Sequence, residues 1–332
     1  MNTLFNQKRR SLLLGACLAV AAPSLFATTA KLKVPEELQG KTIKLIVGFP
    51  PGGGTDITAR TLSYYLSELT GLSVIVENKP GAGGMIATEA VSRTKPDPTE
   101  WLCVTTGQLI TNPLLMDISY DPLQELSLVA RSSASPLVLV VRDESPYTSL
   151  ADILEANKKN PGQLSYGSAG VGTPQHIGME WLQSLSGLDA IHIPYRGSGP
   201  TMMALMSGEI DFVLESSTAA ASHVRGGKVR AIGLSGGMES TEYPNVPSLA
   251  DTYPEFNLAA WSGVALSNKL SDPVKEFAKE SLQAALTNPE FIAKLREQGG
   301  SPNWMGADEF LQSVNDEYVI TEKLVKERNI HL

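Results

Sequence analysis

From residue 41 onward, short apolar runs alternate with longer amphipathic stretches, and this alternation limits the folds that the chain can adopt. Strands that alternate with helices are typical of α/β domains, in which helices cover a largely parallel sheet. Residues 136–141 are apolar throughout, as expected for a strand buried on both faces. Strands are predicted at residues 43–47, 73–77, 101–105, 136–141, 164–168, 190–194, 210–214, 229–234 and 259–266. Helices are predicted at residues 55–68, 85–93, 149–157, 174–185, 200–206, 218–224, 271–286 and 307–329, and after residue 108.

A polar segment at residues 142–146 separates a first series of strands and helices from a second one. With 332 residues, the chain is long enough for about two domains. We therefore predict two lobes, with the chain crossing between them twice. Lobe one comprises residues 40–141 plus 258–332, and lobe two comprises residues 142–257.

Three polar, glycine-rich segments lie where a predicted strand meets a predicted helix, at residues 49–56, 167–173 and 194–200. Such a junction presents free backbone N–H groups and the positive end of a helix dipole. Three junctions that converge on one cleft would bind a carboxylate. For any one of them alone, a plain turn between strand and helix is the simpler explanation.

Two charged residues near these segments have alternative roles. Arg196 is the one cation inside the three segments, and its guanidinium either clamps a carboxylate or forms a structural ion pair. If it clamps the ligand, Arg196→Ala weakens carboxylate binding about tenfold or more; unchanged affinity in a folded variant would contradict that role. Glu215, at the end of a predicted strand, would face the cleft with negative charge and either bind an amino group or simply be solvated.

The charge of the chain excludes several classes of partner. The formal net charge is −8, and residues 28–332 carry 24 basic against 35 acidic residues, a net charge of −11. A chain this acidic does not bind nucleic acid or anionic membranes through a basic field. An anionic ligand must therefore be held by local dipoles and a few cations.

The first 27 residues have the pattern of a cleaved signal peptide, with a basic segment before about a dozen apolar residues. This apolar run is too short to span a membrane, so we expect a periplasmic protein. A loose twin-arginine pattern at Arg9 and Arg10 and a lipid anchor on Cys17 are alternative export routes, and the run before Cys17 is short for a lipoprotein. Cys103 lies in an apolar run and is expected to be a buried, inert thiol.

Motifs of enzymes are weak in this chain. The glycine clusters at residues 52–54 and 81–84 lack the third glycine of the dinucleotide fingerprint. Ser235 matches a nucleophile elbow by letters, but a poor helix follows it, and His331 is the only histidine after it. No metal-ligand spacing is found among His176, His192, His223 and His331. We predict a protein that is not an enzyme and has no cofactor and no metal; a secreted serine hydrolase is the weaker alternative.

Several segments, in the same order along the chain, resemble the periplasmic solute-binding proteins of tripartite tricarboxylate transporters, also called the Bug family. The resemblance runs from about residue 41 to the end. It is carried by residues 47–56 with Ala59 and Arg60, and by residues 76–84, 166–173 with His176, 192–197, 208–211, 227–231 and 246–248.

The resemblance implies an α/β, two-lobed, periplasmic-binding-protein-like (type II) Venus-flytrap fold that closes on a small organic carboxylate. It also implies a monomer that delivers the ligand to a two-component membrane permease and performs no catalysis. Phe49, Gly53 and Thr106 would contact the ligand from the first lobe, and Ser168, Gly170, Thr173, Tyr195 and Gly197 from the second. With Gly54 and Ala169 from the same loops, Arg196 and Glu215, these form the predicted site.

Two questions are left open by the sequence. A binding protein that passes its closed form to a membrane kinase, rather than to a permease, would have the same site. The family often has an aspartate where Glu215 stands, and a carboxylate at this position favours an amine or excludes a second negative charge. The ligand can therefore be a dicarboxylate, a tricarboxylate, an aromatic acid or an amino acid.

Overall fold

In a computed structural model of the chain, the residues described are 32–93, 95–236, 240 and 242–328. The predicted signal peptide, Cys17 and His331 lie outside these described residues. Ten strands are present: β1 (Ile43–Val47), β2 (Val74–Asn78), β3 (Glu100–Thr105), β4 (Leu126–Arg142), β5 (Leu164–Ser168), β6 (Ala190–Pro194), β7 (Phe212–Ser216), β8 (Val229–Leu234), β9 (Ala259–Ser267) and β10 (Ser301–Gly306). The α-helices are α1 (Gly54–Thr70), α2 (Met85–Arg93), α3 (Asn112–Leu115), α4 (Pro122–Glu125), α5 (Leu150–Lys159), α6 (Pro174–Ser186), α7 (Ser198–Ser207), α8 (Ser217–Arg225), α9 (Asp272–Leu286), α10 (Pro289–Glu297) and α11 (Ala307–Arg328).

The strands form one continuous sheet in the order β2-β1-β3-β9-β4-β7-β5-β6, with β8 and β10 also paired to β4. The two ends of this sheet are parallel, β2-β1-β3 on one side and β7-β5-β6 on the other. Between them β9 and β4 run antiparallel to their neighbours. The first part of β4 pairs with β9 and β10 and its last part with β7 and β8, so this strand belongs to both halves.

Each half of the sheet is covered by helices on both faces, because its buried strands are apolar on both faces. In the half with β1 and β3, Trp101 and Phe277 belong to the core on one face, and Phe310 belongs to the core on the other. In the half with β5 and β7, Tyr166 lies in one core and Met202 in the opposite one. The predicted α/β class is therefore confirmed.

The observed elements differ from the predicted ones in several places. Strand β4 begins at Leu126, ten residues before the predicted start at residue 136, and β7 lies two residues later than predicted. Helices α4 and α10 and strand β10 were not predicted. After residue 108 the chain forms a π-helical turn over Gly107–Thr111 and then the short α3, rather than one regular helix.

Candidate functional site

A cavity of about 620 Å³, part of it open to solvent, lies where the two halves of the sheet meet. The middle of β4, with Ser133 and Ser135, and the start of β9, with Trp261, border it. These two strands pair with each other there. The remaining border comes from the starts of α1, α6, α7 and α8, from the ends of β3 and β7, and from the loops that precede α1 and α6.

Three of the four helices that begin at this cavity have no side-chain cap at their N-terminus. The N-cap residues are Gly53 for α1, Thr173 for α6 and Gly197 for α7, and none of their side chains accepts a hydrogen bond from the first turn. Helix α8 differs, because the Ser216 side chain accepts from the backbone N–H of Ala219. The first N–H groups of a helix have no intrahelical partner, so α1, α6 and α7 offer donors and positive dipole ends to an anion.

The lining adds many hydroxyl groups to these helix ends. Nine lining residues are serines or threonines, supplied by α1, β3, β4, α7, β7, α8 and β9. Within the part of the chain that the structure describes, the lining contains no Asp, Glu, Lys or Arg. The lining therefore offers an anion neutral hydrogen-bond donors and helix dipoles, and no cationic side chain among the described residues.

The first glycine loop is held in place by a buried carboxylate. Asp56 is 2% exposed, and its Oδ2 accepts from the Gly52 N–H and from Arg60 Nε, both at 2.9 Å. Its Oδ1 accepts from Arg60 Nη2 and from Asn78 Nδ2, also at 2.9 Å. Asn78 Nδ2 lies 2.8 Å from the Phe49 carbonyl oxygen as well. Asp56 thus fixes the loop that precedes α1.

Two neutral histidines support the second glycine loop. The Gly172 N–H donates to His176 Nδ1 at 3.2 Å, and Ser168 Oγ lies 2.7 Å from His192 Nε2. The two rings stack with their centroids 4.0 Å apart. Burial lowers the pKa of each histidine to about 4, so both are uncharged near neutral pH. These histidines position the loop and add no charge to the site.

The two halves touch through glycines at the rim of the cavity. A Cβ atom on Gly54 would lie 2.7 Å from Ser216 Oγ, which brings the starts of α1 and α8 together. A Cβ atom on Gly197, whose φ is +107°, would lie 2.7 Å from Pro50 Cδ. At both places the close approach requires a residue without a side chain.

The structure places the twelve predicted site residues in three groups. Phe49, Gly53, Gly54 and Ala169 line the cavity. Thr173 and Gly197 are the N-cap residues of helices that begin at it, and Gly170 accepts hydrogen bonds from the Ser168 and Thr173 hydroxyls. The others do not belong to the lining: Thr106, Ser168, Tyr195, Arg196 and Glu215.

For three of these residues outside the lining, the structure shows where the side chain lies. The Tyr195 hydroxyl donates to Glu209 Oε1 at 2.7 Å, and Arg196 is exposed. The proposed clamping role of Arg196 stays a prediction that Arg196→Ala can test. Glu215 was expected to face the cleft, but it is completely buried and is not part of the lining, and its carboxyl accepts from two lining residues, Gln175 and Ser216.

Trp261 is a lining residue that sequence reasoning missed. Its indole N–H donates to Glu317 Oε2 at 2.6 Å, and Arg131 Cζ lies 5.8 Å from the ring centroid. Ser133 and Ser135 were missed as well. A signal for these serines existed, since polar residues inside a strand that is otherwise apolar indicate a site or a cavity. No local signal indicated Trp261.

We expect Trp261 to report ligand binding through its fluorescence. Trp261→Phe should remove most of the ligand-induced change in emission, because Trp261 is the one tryptophan in the lining of the described residues. It should also lower the free energy of unfolding by about 1–3 kcal/mol, since Glu317 loses its donor. Trp304, which is 39% exposed and outside the lining, gives the control Trp304→Phe. A signal that survives in Trp261→Phe and vanishes in Trp304→Phe would contradict this placement.

The hydrolase alternative requires a reactive Ser235, and the structure gives this residue another role. Ser235 is 1% exposed; its Oγ donates to the Leu258 carbonyl and accepts from the Leu137 N–H at 2.8 Å. The Ser235 hydroxyl therefore links the backbone at Leu137 to the backbone at Leu258, which is a structural role. Among the described residues, no cluster of His, Cys, Asp and Glu could hold a metal ion. Within the same residues, no helix has the length and apolar character needed to cross a bilayer.

Comparisons with known proteins match most of the chain. Residues 58–330 match the family model described as tripartite tricarboxylate transporter family receptor. Protein BugT of Bordetella pertussis is 31% identical over 320 residues, which cover 94% of this chain and 98% of that protein. The solved periplasmic binding protein BugD superposes with a TM-score of 0.83 at 27% identity, covering 90% of this chain and 99% of that one. An R. palustris protein solved with adipate superposes with a TM-score of 0.85 at 26% identity, covering 88% of this chain and 99% of that one. These similarities confirm the predicted two-lobed, periplasmic-binding-protein-like fold.

Proposed function

Because the chain belongs to the tripartite tricarboxylate transporter family of receptors, which are solute-binding proteins and not enzymes, we propose that it captures a small organic carboxylate outside the cytoplasm. The observation that carries this proposal is the set of three helix N-termini without side-chain caps at one cavity lined by nine hydroxyls. Such a site binds an anion without a cationic side chain.

The chemistry of the cavity favours a ligand with an anionic end and an apolar body. Helix ends and hydroxyls supply donors, while Phe49, Trp261 and Ala260 supply apolar surface. The R. palustris relative solved with adipate, a chain of methylene groups between two carboxylates, is consistent with such a ligand. Several charge-assisted hydrogen bonds at about 1.5–3 kcal/mol each are enough for micromolar binding, which needs roughly 8 kcal/mol.

We further propose that the ligand bridges the two lobes at residues 40–141 plus 258–332 and 142–257, and that the closed form delivers it to a two-component membrane permease. The signal peptide proposed at residues 1–27 would bring the protein to the periplasm. Ligand-driven closure requires only that the ligand bind the closed form more tightly than the open one. Uptake of the ligand by cells should then require both this protein and the permease.

Thermal unfolding in the presence of carboxylates tests the proposed function. The purified protein is unfolded and refolded to remove any bound ligand, and is then heated with succinate, glutarate, adipate, citrate, benzoate, aspartate and glutamate. A ligand at a hundred times its Kd should stabilise the fold by about 2.7 kcal/mol, which raises the Tm by several degrees. If no carboxylate raises the Tm and calorimetry detects no binding, the proposal is wrong.

A further inference from the structure

Glu215 is a buried carboxyl group with only half of its hydrogen-bonding capacity used. It is the fourth residue of β7 and is 0% exposed. Its Oε1 accepts from Gln175 Nε2 at 2.8 Å and from the Ser216 N–H at 2.7 Å. Its Oε2 is fully buried and accepts no hydrogen bond of normal geometry, although the Ser198 and Ser216 hydroxyls lie near the carboxyl and favour its charged form. A charged oxygen that is buried without a hydrogen bond costs free energy, whereas a protonated carboxyl is neutral and its O–H is a donor.

Glu215 also lacks the cation that the other buried carboxyl of the described chain has. Asp56 and Glu215 are the two acidic residues that are fully buried among the described ones. Asp56 is paired with Arg60 at 2.9 Å, while no Lys, Arg or His in the described part of the chain forms an ion pair with Glu215. An ionised Glu215 would therefore be a buried charge without compensation.

The elements packed around Glu215 bring no other cation to it. On α6, the His176 ring faces His192, and on α1, Asp56 and Arg60 neutralise each other. Helix α7 contains no charged residue. The basic residues of α8, His223 and Arg225, lie in its last turn, away from Ser216 at its start. Strand β4 places Val138 opposite Glu215, and its two arginines, Arg131 and Arg142, lie seven and four residues away along the strand. Tyr243 is a further titratable group near Glu215, and its hydroxyl donates to the Ser217 carbonyl oxygen at 3.0 Å.

The groups that touch this carboxyl also border the ligand cavity. Gln175 and Ser216 donate to Glu215 and line the cavity, as does Ser198 at the start of α7. We propose that Glu215 is a specificity-determining residue that stays protonated and neutral, so that the site prefers carboxylates without an amino group over the matching amino acids. This inference rests on the proposed carboxylate-binding function and names the ligand class of that site.

The physical reason for this preference is the charge of Glu215 relative to that of the ligand in the neighbouring cavity. Burial raises the pKa of Glu215 above its ordinary value, against the effect of its hydrogen bonds. An anionic ligand nearby disfavours ionisation further, because it has the same charge. A ligand ammonium group would instead require Glu215 to ionise. Ionisation of Glu215 at high pH should weaken the binding of an anionic ligand, so the affinity of the protein for such a ligand should fall as the pH rises.

Matched pairs of ligands and a neutral isostere test this assignment. Succinate is compared with aspartate, and glutarate with glutamate, by calorimetry between pH 5 and pH 8, on the unmodified protein and on Glu215→Gln. We expect the unsubstituted acid of at least one pair to bind about tenfold or more tightly than its amino acid. Glu215→Gln should keep this preference, bind within about threefold of the unmodified protein at pH 5, and show a weaker pH dependence. A preference for the amino acid, or loss of binding in Glu215→Gln, would overturn the proposal.

A second measurement needs no ligand, so failure of the proposed function does not obscure the result. A carboxyl whose pKa is higher in the folded than in the unfolded state destabilises the fold increasingly as the pH rises above the unfolded value of about 4.3. Relative to the unmodified protein, the Tm of Glu215→Gln should therefore rise between pH 4 and pH 8, by roughly 2 °C or more. Glu155→Gln, which removes an exposed carboxyl on α5, controls for the change in net charge. If the Tm difference of Glu215→Gln does not exceed that of Glu155→Gln, Glu215 is ionised in the folded protein and the inference is wrong.

Discussion

We expect Gly54→Ala to weaken ligand binding about tenfold or more while the fold stays at least as stable as before. The added Cβ would lie 2.7 Å from Ser216 Oγ and 3.7 Å from Thr218 Cβ. Overpacking of this kind costs about 1–3 kcal/mol and is relieved when the starts of α1 and α8 move apart. In the ligand-free protein that movement opens the cavity. In the complex it separates donors that the ligand must bridge.

Gly54→Ala is informative because it should weaken ligand binding without lowering the stability of the free protein. Gly54 begins α1 with a φ outside the left-handed region, and replacing such a glycine by alanine stabilises a fold by about 0.4–1 kcal/mol, because the unfolded chain loses entropy. Gly54→Ala should therefore not lower the Tm of the free protein. Gly199→Ala is the matched control, because this glycine lies in the first turn of α7 and the nearest atom to an added Cβ is the Pro51 carbonyl oxygen at 3.8 Å. Calorimetry and thermal unfolding of both variants provide the comparison. Wild-type affinity in Gly54→Ala would mean that the gap between α1 and α8 does not determine the fit of the ligand.

Asp56→Ala should lower both stability and affinity, because it removes the acceptor that organises the first glycine loop. The substitution leaves the Gly52 N–H without its acceptor, deprives Asn78 of one of its two acceptors and removes the carboxylate partner of Arg60. Removing one partner of a buried pair costs about 3–5 kcal/mol. Since the Arg60 side chain is 51% exposed and can be hydrated, we expect the lower end, about 3 kcal/mol. Urea unfolding measures this loss.

A second ion pair of the same spacing provides the control for Asp56→Ala. Glu89 and Arg93 are also four residues apart on a helix, but their side chains are 57% and 43% exposed. Exposed pairs contribute about 0–1 kcal/mol, so Glu89→Ala should change the stability little and leave ligand binding unchanged. If Asp56→Ala were as mild as Glu89→Ala, the loop at residues 49–53 would be held by other contacts.

Much of the fold could be predicted, because its strands and helices are indicated by patterns of neighbouring residues in the sequence. Strands β1, β5, β6 and β8 have the bounds predicted from their apolar runs. The helix predicted at residues 149–157 is α5, and its N-cap residue Ser149 forms a capping box with Asp152. The first part of β4 escaped prediction, because serines that border a cavity interrupt the apolar pattern of this buried strand.

The candidate site could be predicted only in part. The three glycine loops do meet at one cavity, and Phe49, Gly53, Gly54 and Ala169 line it as expected. Their positions follow from the local rule that a helix which starts after a parallel strand points its N-terminus to that edge of the sheet. The opposite side of the cavity, with Trp261, depends on the pairing of β4 with β9, which no short segment of sequence indicates.

The sequence by itself determined the α/β class, the elements and the helix ends available to an anion, because hydrophobic period and capping depend on neighbours within one or two turns. Tertiary structure decided which residues share the cavity and which polar groups are removed from water. Ser132 contacts Ser262 across 130 positions of the chain, and the buried Glu215 of β7 accepts a hydrogen bond from Gln175 of α6, 40 positions away. Burial and strand pairing join distant segments, so the charge that a side chain such as Glu215 can carry is a property of the folded protein.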